Sequence, residues 1–147
     1  MLLAGTKASL WDLDRSLAIA DDCVVTALAA RSGQAWALLD GARIARIGEF
    51  AADEAASLPS ADGQCLAALP NGDLLVGRTS ARLTLVSGGA LNDLASFDHL
   101  PGRDAWENPA AATPDLRSLA ADAGGRIYAN VHVGGLWSSD DWGASWM

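Results

Sequence analysis

Short apolar runs, broken by glycine-containing turns, recur along this chain and predict its elements. Val24-Val25-Thr26-Ala27-Leu28-Ala29-Ala30 leads through Arg31-Ser32-Gly33 into Ala35-Trp36-Ala37-Leu38-Leu39. Leu66-Ala67-Ala68-Leu69 leads through Pro70-Asn71-Gly72 into Leu74-Leu75-Val76-Gly77. Leu116-Arg117-Ser118-Leu119-Ala120 leads through Asp122–Gly125 into Ile127-Tyr128-Ala129-Asn130-Val131. Runs of this length predict strands, and Asn-Gly between two of them is a strong hairpin signal because it accepts positive φ cheaply. Third strands are expected at Ala42–Ile47, Arg82–Val86 and Leu136–Ser138. The opening fits the same unit without its first strand, with Leu2–Gly5 as the second and Ser9–Asp12 as the third. Gly and Asn recur too often for a helical solenoid. Only Ala51–Ser57 has helical composition, and it is expected as a single turn in a connection.

The copies start near residues 24, 64 and 116, a spacing of about 40 and then about 52 residues, which is roughly one propeller blade each. The fold class expected is therefore all-β, a β-propeller of four-stranded antiparallel blades. Residues 1–21 form a blade lacking its inner strand, 22–60 a whole blade, 61–109 a blade plus a long connection, and 110–147 a truncated blade. The total is about three and a half blades, whereas closed propellers use at least four, so the chain reads as part of a longer protein. Its two raw edges are expected to self-associate.

The last residues form a compact motif, Ser139-Asp140-Asp141-Trp142-Gly143-Ala144-Ser145-Trp146. A short carboxylate at Asp141 can accept bonds from backbone N–H groups further along a tight turn, and Gly143 takes a positive φ at little cost. Ser139 and Ser145 can satisfy turn amides, and Trp146 can anchor the hairpin in the layer between sheets. Each position of this box has a folding task, so none is expected to be catalytic.

The form Ser-x-Asp-x-Gly-x-Ser-Trp resembles the Asp-box (BNR) motif of sialidase-like β-propellers, and Val131–Ser139 leads into it as a strand does in that family. The whole chain, by its repeat pattern, resembles the WD40/YVTN/BNR repeat proteins, often glycosyl-hydrolase-like. Asp12–Ser16 and Ser87–Ala90 hold the equivalent turns without the full box. The resemblance implies a propeller. Sialidases as a family use three arginines, a Tyr–Glu nucleophile pair and an acid Asp. That set cannot be assembled here, because the only tyrosine, Tyr128, lies inside a predicted strand, and Glu49, Glu54 and Glu107 lie in connections.

Charge narrows the partners. A net charge of −8 argues against nucleic acid and anionic membranes. No run of apolar residues is long enough to span a bilayer, and no basic n-region opens the chain, which favours a cytoplasmic location. Cys23 and Cys65 both sit beside strand patterns and read as buried thiols rather than a disulfide or metal pair. No His or Cys spacing suits a metal, and no cofactor is implied.

Topology places the candidate site on one face. If the inner strands run away from the top, the loops Gly5–Ala8, Asp40–Arg43, Arg78–Ala81, His132–Gly135 and Asp98–Pro114 gather there. They bring Lys7, Arg43, Arg78, Arg103 and His132, with Arg117 at the head of an inner strand, a set suited to an anionic small molecule or sugar. The Asp98–Pro114 connection, long and expected to lack secondary structure, has the makings of a lid with Arg103, Asp104 and Trp106. Trp106 can stack on a sugar ring or plug the loop to the blade, and plugging is favoured. Arg117 can clamp a carboxylate or pair with Asp115 or Asp104. His132 reads as a turn residue. The leading function is a non-catalytic binding or assembly scaffold with a protein or small-molecule partner. The alternative is a sialidase-like glycoside hydrolase or lyase completed by blades absent here.

Overall fold

The computed structural model describes residues 1–106 and 113–147. They build four antiparallel sheets in chain order, the architecture of a partial β-propeller. The first sheet holds β1 (Leu3–Gly5), β2 (Ser9–Asp12) and β3 (Leu17–Asp21). The second holds β4 (Val25–Arg31), β5 (Gln34–Leu39), β6 (Arg43–Ile47) and β7 (Ala52–Ser57). The third holds β8 (Gly63–Ala68), β9 (Leu74–Arg78), β10 (Leu83–Ser87) and β11 (Ala90–Asp93). The fourth holds β12 (Leu116–Ala121), β13 (Ile127–Val131) and β14 (Gly135–Ser139). Beyond β14 the chain turns back, and Ser138 and Met147 exchange two backbone bonds, each 2.9 Å, beginning a further strand at the rim.

The apolar periodicity is spent between sheets, in three separate layers. Leu10, Ile19, Ala37, Leu39 and Ile47 fill the joint between the first and second sheets. Trp36, Leu38, Ile44, Leu66, Leu74 and Val76 fill the second joint. Leu75, Leu83, Phe97, Leu116, Ile127 and Val131 fill the third. Strand β9, in a sheet with a neighbour on each side, is buried along its whole length, whereas β13 in the last sheet buries Ile127, Ala129 and Val131 and leaves Asn130 exposed.

The inner strands β4, β8 and β12 carry neighbouring sheets against one another. All three share a register device. The pairing shifts past Thr26 in β4, past Gln64 in β8 and past Arg117 in β12, so each holds one unpaired polar residue near its start. Leu-Ala-Ala then follows at the same offset: Leu28-Ala29-Ala30, Leu66-Ala67-Ala68 and Leu119-Ala120-Ala121. Small residues let these strands approach closely near the axis. Gly77 shows how tight the packing is, because a Cβ there would lie 2.5 Å from both Cys65 Sγ and Leu116 Cδ2.

Two sequence expectations change. Ala51–Ser57, read as helical, supplies strand β7. Its alanines and glutamate favour a helix locally, but β6 offers a free edge, and Ile44 pairs with Ala56, which is buried. The Asp98–Pro114 connection, expected without secondary structure, contains a 3₁₀ turn at Arg103–Ala105, and a helical turn α1 (Ala95–Asp98) leads into it. Phe97 from α1 is fully buried in the third joint, so this start of the connection is packed rather than open. Glu107 lies outside the described residues.

Candidate functional site

The loops assigned to the top do meet, through a belt of backbone bonds. Val25 N donates to Thr6 O at 2.9 Å, Asp40 N to Val24 O at 2.7 Å, and Gly63 N to Gly41 O at 2.8 Å. Thr79 N donates to Asp62 O at 2.9 Å, and His132 N to Asp115 O at 2.9 Å. Two of these bonds, Val25 to Thr6 and Gly63 to Gly41, tie the loop after a second strand to the start of the next inner strand, and the other three tie it to the start of the inner strand of its own sheet. The polar groups that the turns leave over are thereby satisfied.

The candidate arginines on this face are engaged within the chain. Arg78 ends β9 with only 3% of its side chain exposed. Its Nε donates to Asp62 Oδ1 at 2.9 Å, Nη2 to Ser60 Oγ at 3.1 Å, and Nη1 to Asp93 Oδ1 at 3.4 Å and Thr84 Oγ1 at 3.5 Å. Arg82 also pairs with Asp93. The Thr84 hydroxyl, helped by both arginines, holds the Asp93 carboxyl below its ordinary range. Ser60, Arg78, Arg82, Thr84 and Asp93 line a cleft of about 340 Å³ with Leu58, Pro59 and Leu91. Asp93 in the lining pairs with both arginines, and Asp62 outside it pairs with Arg78, so both cations are already engaged.

Arg103 is spent on the connection itself. Its Nη2 donates to the carbonyls of Ser80 at 2.7 Å and Ala81 at 3.0 Å, and Nη1 to Phe97 O at 3.4 Å. The guanidinium lies 5.2 Å from the Trp106 ring centre and 5.9 Å from that of Phe97, with Asp98 at 3.4 Å. Burial lowers its pKa, and the charges of Asp98 and exposed Asp104 oppose that shift. Trp106 packs at 5.9 Å from Trp137 and covers Gly134, where a Cβ would come within 2.8 Å of its ring. Arg103, Trp106 and the His132 turn are thus brought together, but as a packed corner.

Arg117 occupies the unpaired bulge position of β12, half exposed, 3.5 Å from Asp115. Arg43 pairs with Asp40 at 3.0 Å, whereas Lys7 is exposed. The Nδ1 of His132 is buried with no hydrogen-bond partner among the described residues. No group of three or more His, Cys, Asp and Glu side chains among them is placed to hold a metal ion.

In the final turn, Asp141 Oδ1 accepts from Ser145 N at 2.8 Å and from Ser139 Oγ at 2.8 Å, while Oδ2 accepts from Ser145 Oγ at 2.6 Å. Gly143 N donates to the fully buried Ser139 Oγ at 2.8 Å. Gly143 adopts φ +89°, and a Cβ there would meet Leu94 at 2.7 Å. The Ser145 hydroxyl first, then its amide and the Ser139 hydroxyl, pull the Asp141 pKa down to about 2. Trp146 stacks edge-on to Phe97 at 4.7 Å and donates Nε1 to Ser96 Oγ at 3.3 Å.

The raw edge expected of the first blade is accompanied by a groove that sequence reasoning did not outline. A groove of about 570 Å³ runs beside β1, lined by Met1, Leu3 and residues 28–35. It lies where the other three sheets hold their inner strand. The signal was present in the opening strand that has no partner on its inner side, but the exposure of β4 depends on packing and is invisible locally.

No protein-family model matches this chain, and no curated protein matches it in sequence. Among solved structures it is similar to one described as YCF48 bound to D1 peptide, with a TM-score of 0.62 at 14% identity. The match covers 88% of this chain and 41% of that one, so the chain spans less than half of its neighbour. At that identity the likeness establishes the fold and nothing finer: this chain has a β-propeller fold.

Proposed function

We propose that this chain is a non-catalytic binding scaffold of the propeller type, and that its partner is a peptide or protein. The observation that carries this reading is where its charges go. Arg43, Arg78, Arg103 and Arg117, the arginines that suited an anionic ligand, all pair with carboxylates of the same chain, and only Lys7 of the lysine and arginine candidates on that face is exposed without such a pair among the described residues. The open surface beside β1 mixes the apolar Met1, Leu3, Leu28 and Ala30 with the polar Arg31, Ser32 and Gln34, which suits polypeptide. The similarity to a propeller solved with a bound peptide agrees with this reading. On the same reading the 139–146 turn is a structural Asp box of BNR type, and the blades divide at 1–21, 22–60, 61–109 and 110–147.

The test is a panel of displayed peptides screened against the purified chain, run beside chromogenic sialosides and other glycosides. Saturable peptide binding with no glycoside turnover is expected. Turnover that survives purification and is lost on mutating a carboxylate would overturn the scaffold.

A further inference from the structure

The inner strands β4, β8 and β12 reach equivalent points one residue past the Leu-Ala-Ala triplet, and that residue differs in each: Arg31, Leu69 and Asp122. Leu69 is buried in the third joint. Asp122 closes its own turn, its Oδ1 accepting from Gly124 N at 2.8 Å and from Arg126 N at 3.0 Å. Arg31 reaches out of its own sheet instead. Its Nη1 donates to Ala121 O at 3.0 Å and to Ala68 O at 3.3 Å, and its Nη2 donates to Asp122 O at 2.6 Å. One side chain of the second sheet is thereby bonded to both the third and the fourth.

Two of the acceptors are groups that the sheets leave over. Leu69 N donates to Asp73 O and Asp122 N to Arg126 O, so these residues turn toward the second strands of their sheets. Ala68 and Ala121 point their carbonyls the other way, toward the axis, where an inner strand has no neighbour in its own sheet. A planar guanidinium with five donors can serve several carbonyls at once, and its charge strengthens each bond. Among the described residues, no other hydrogen bond joins the second sheet to the fourth. Packing does not close this end of the second joint, because a cleft of about 280 Å³ lined by Trp36, Leu69 and Pro70 lies between the β4–β5 and β8–β9 turns. The other end of that joint is fixed separately, by Gly63 N on Gly41 O and by Arg78 on Asp62 and Ser60.

We propose that Arg31 is a conformational strap, which ties the inner strands of three successive sheets at the end of the axis opposite the candidate site and makes the second, third and fourth sheets move as one body. The first sheet lies outside the strap, since Arg31 donates to none of its atoms among the described residues. The first joint can therefore open by itself, whereas the second opens only after the guanidinium gives up its carbonyls. Loops at the far end of the strands keep fixed distances across the second and third joints, as a binding face on a rigid frame requires. The strap is independent of what the chain binds.

Two matched amides read the two joints. Val25 N on Thr6 O at 2.9 Å spans the first, and Gly63 N on Gly41 O at 2.8 Å spans the second. Their hydrogen exchange is followed by NMR in the whole chain, for wild type, Arg31→Met and Arg31→Lys. Arg31→Met keeps an apolar stem and removes every donor. It should speed exchange at Gly63 about tenfold or more and leave Val25 within about twofold. Arg31→Lys keeps the charge without the planar fork and should fall between wild type and Arg31→Met. Equal acceleration at both amides means an ordinary loss of stability and overturns the strap. Unchanged exchange at Gly63 in Arg31→Met overturns it too, because the stem alone would then close the joint. Should Arg31→Met fail to fold, Arg31→Lys carries the same comparison. Faster exchange at Gly63 alone then supports the strap, and any other pattern overturns it.

Discussion

Strands β4 and β8 share a bulge, a register and a Leu-Ala-Ala triplet, yet one is covered and the other half open. The contrast teaches that burial in a radial fold belongs to the neighbour and not to the strand. The third sheet is packed on both faces, by the second and the fourth. The second sheet has a complete partner on one side only. Perturbations of the two should differ accordingly.

The largest effect is expected at Arg78. Truncation to Ala leaves Asp62 and Asp93 without their buried cation, at a cost of about 3–5 kcal/mol in urea unfolding. Arg78→Lys should recover little, because one ammonium cannot reach Asp62, Ser60 and Asp93 together. The paired leucines come next. Leu66→Ala is expected to cost about 3 kcal/mol, and Leu28→Ala under about 1 kcal/mol. Equal losses would break the comparison and mean that the groove beside β1 is covered in solution.

The final turn offers an acid-sensitive contrast to these pH-tolerant joints. Asp141 sits at about 2 against an ordinary 3.8, so the folded chain resists its protonation more than the unfolded chain does. The stability this contributes is complete above the ordinary value and fades as the pH falls through the folded one. Fluorescence of Trp142 and Trp146 should therefore report loosening of the turn as the pH drops from about 4 toward 2. Asp141→Asn should flatten that acid response, and an unchanged response would move it to Asp93 or Asp40, whose pKa values are lowered in the same direction. The smallest effect is expected at Arg117, where removal of an exposed ion pair should cost ~0.5 kcal/mol or less.

The strands were legible where apolar runs met glycine turns, because period and turn chemistry are local properties. Strand β7 was not, since Ala-Asp-Glu-Ala-Ala is a helix former until β6 offers an edge. The fate of the arginines was hidden for a different reason. Arg78 finds Asp62 and Asp93, 16 and 15 residues away, through a sheet register that no spacing rule encodes. Trp106 was readable as either plug or platform, and only its contact with Gly134 and Trp137 shows which surface it covers. The bulge that aligns Thr26, Gln64 and Arg117 became visible only with the pairing, after which the three Leu-Ala-Ala triplets fell into one position.

The two cysteines turn this layered packing into a clock. Cys23 is buried in the first joint and Cys65 in the third, where its thiol donates to Leu116 O at 3.3 Å and burial pushes its pKa up to about 12. A thiol so placed reacts with an alkylating reagent only when its own joint parts. Two labelling rates, read from one sample under native conditions, would time the opening of the two joints separately. The joint beside the open groove should tick faster.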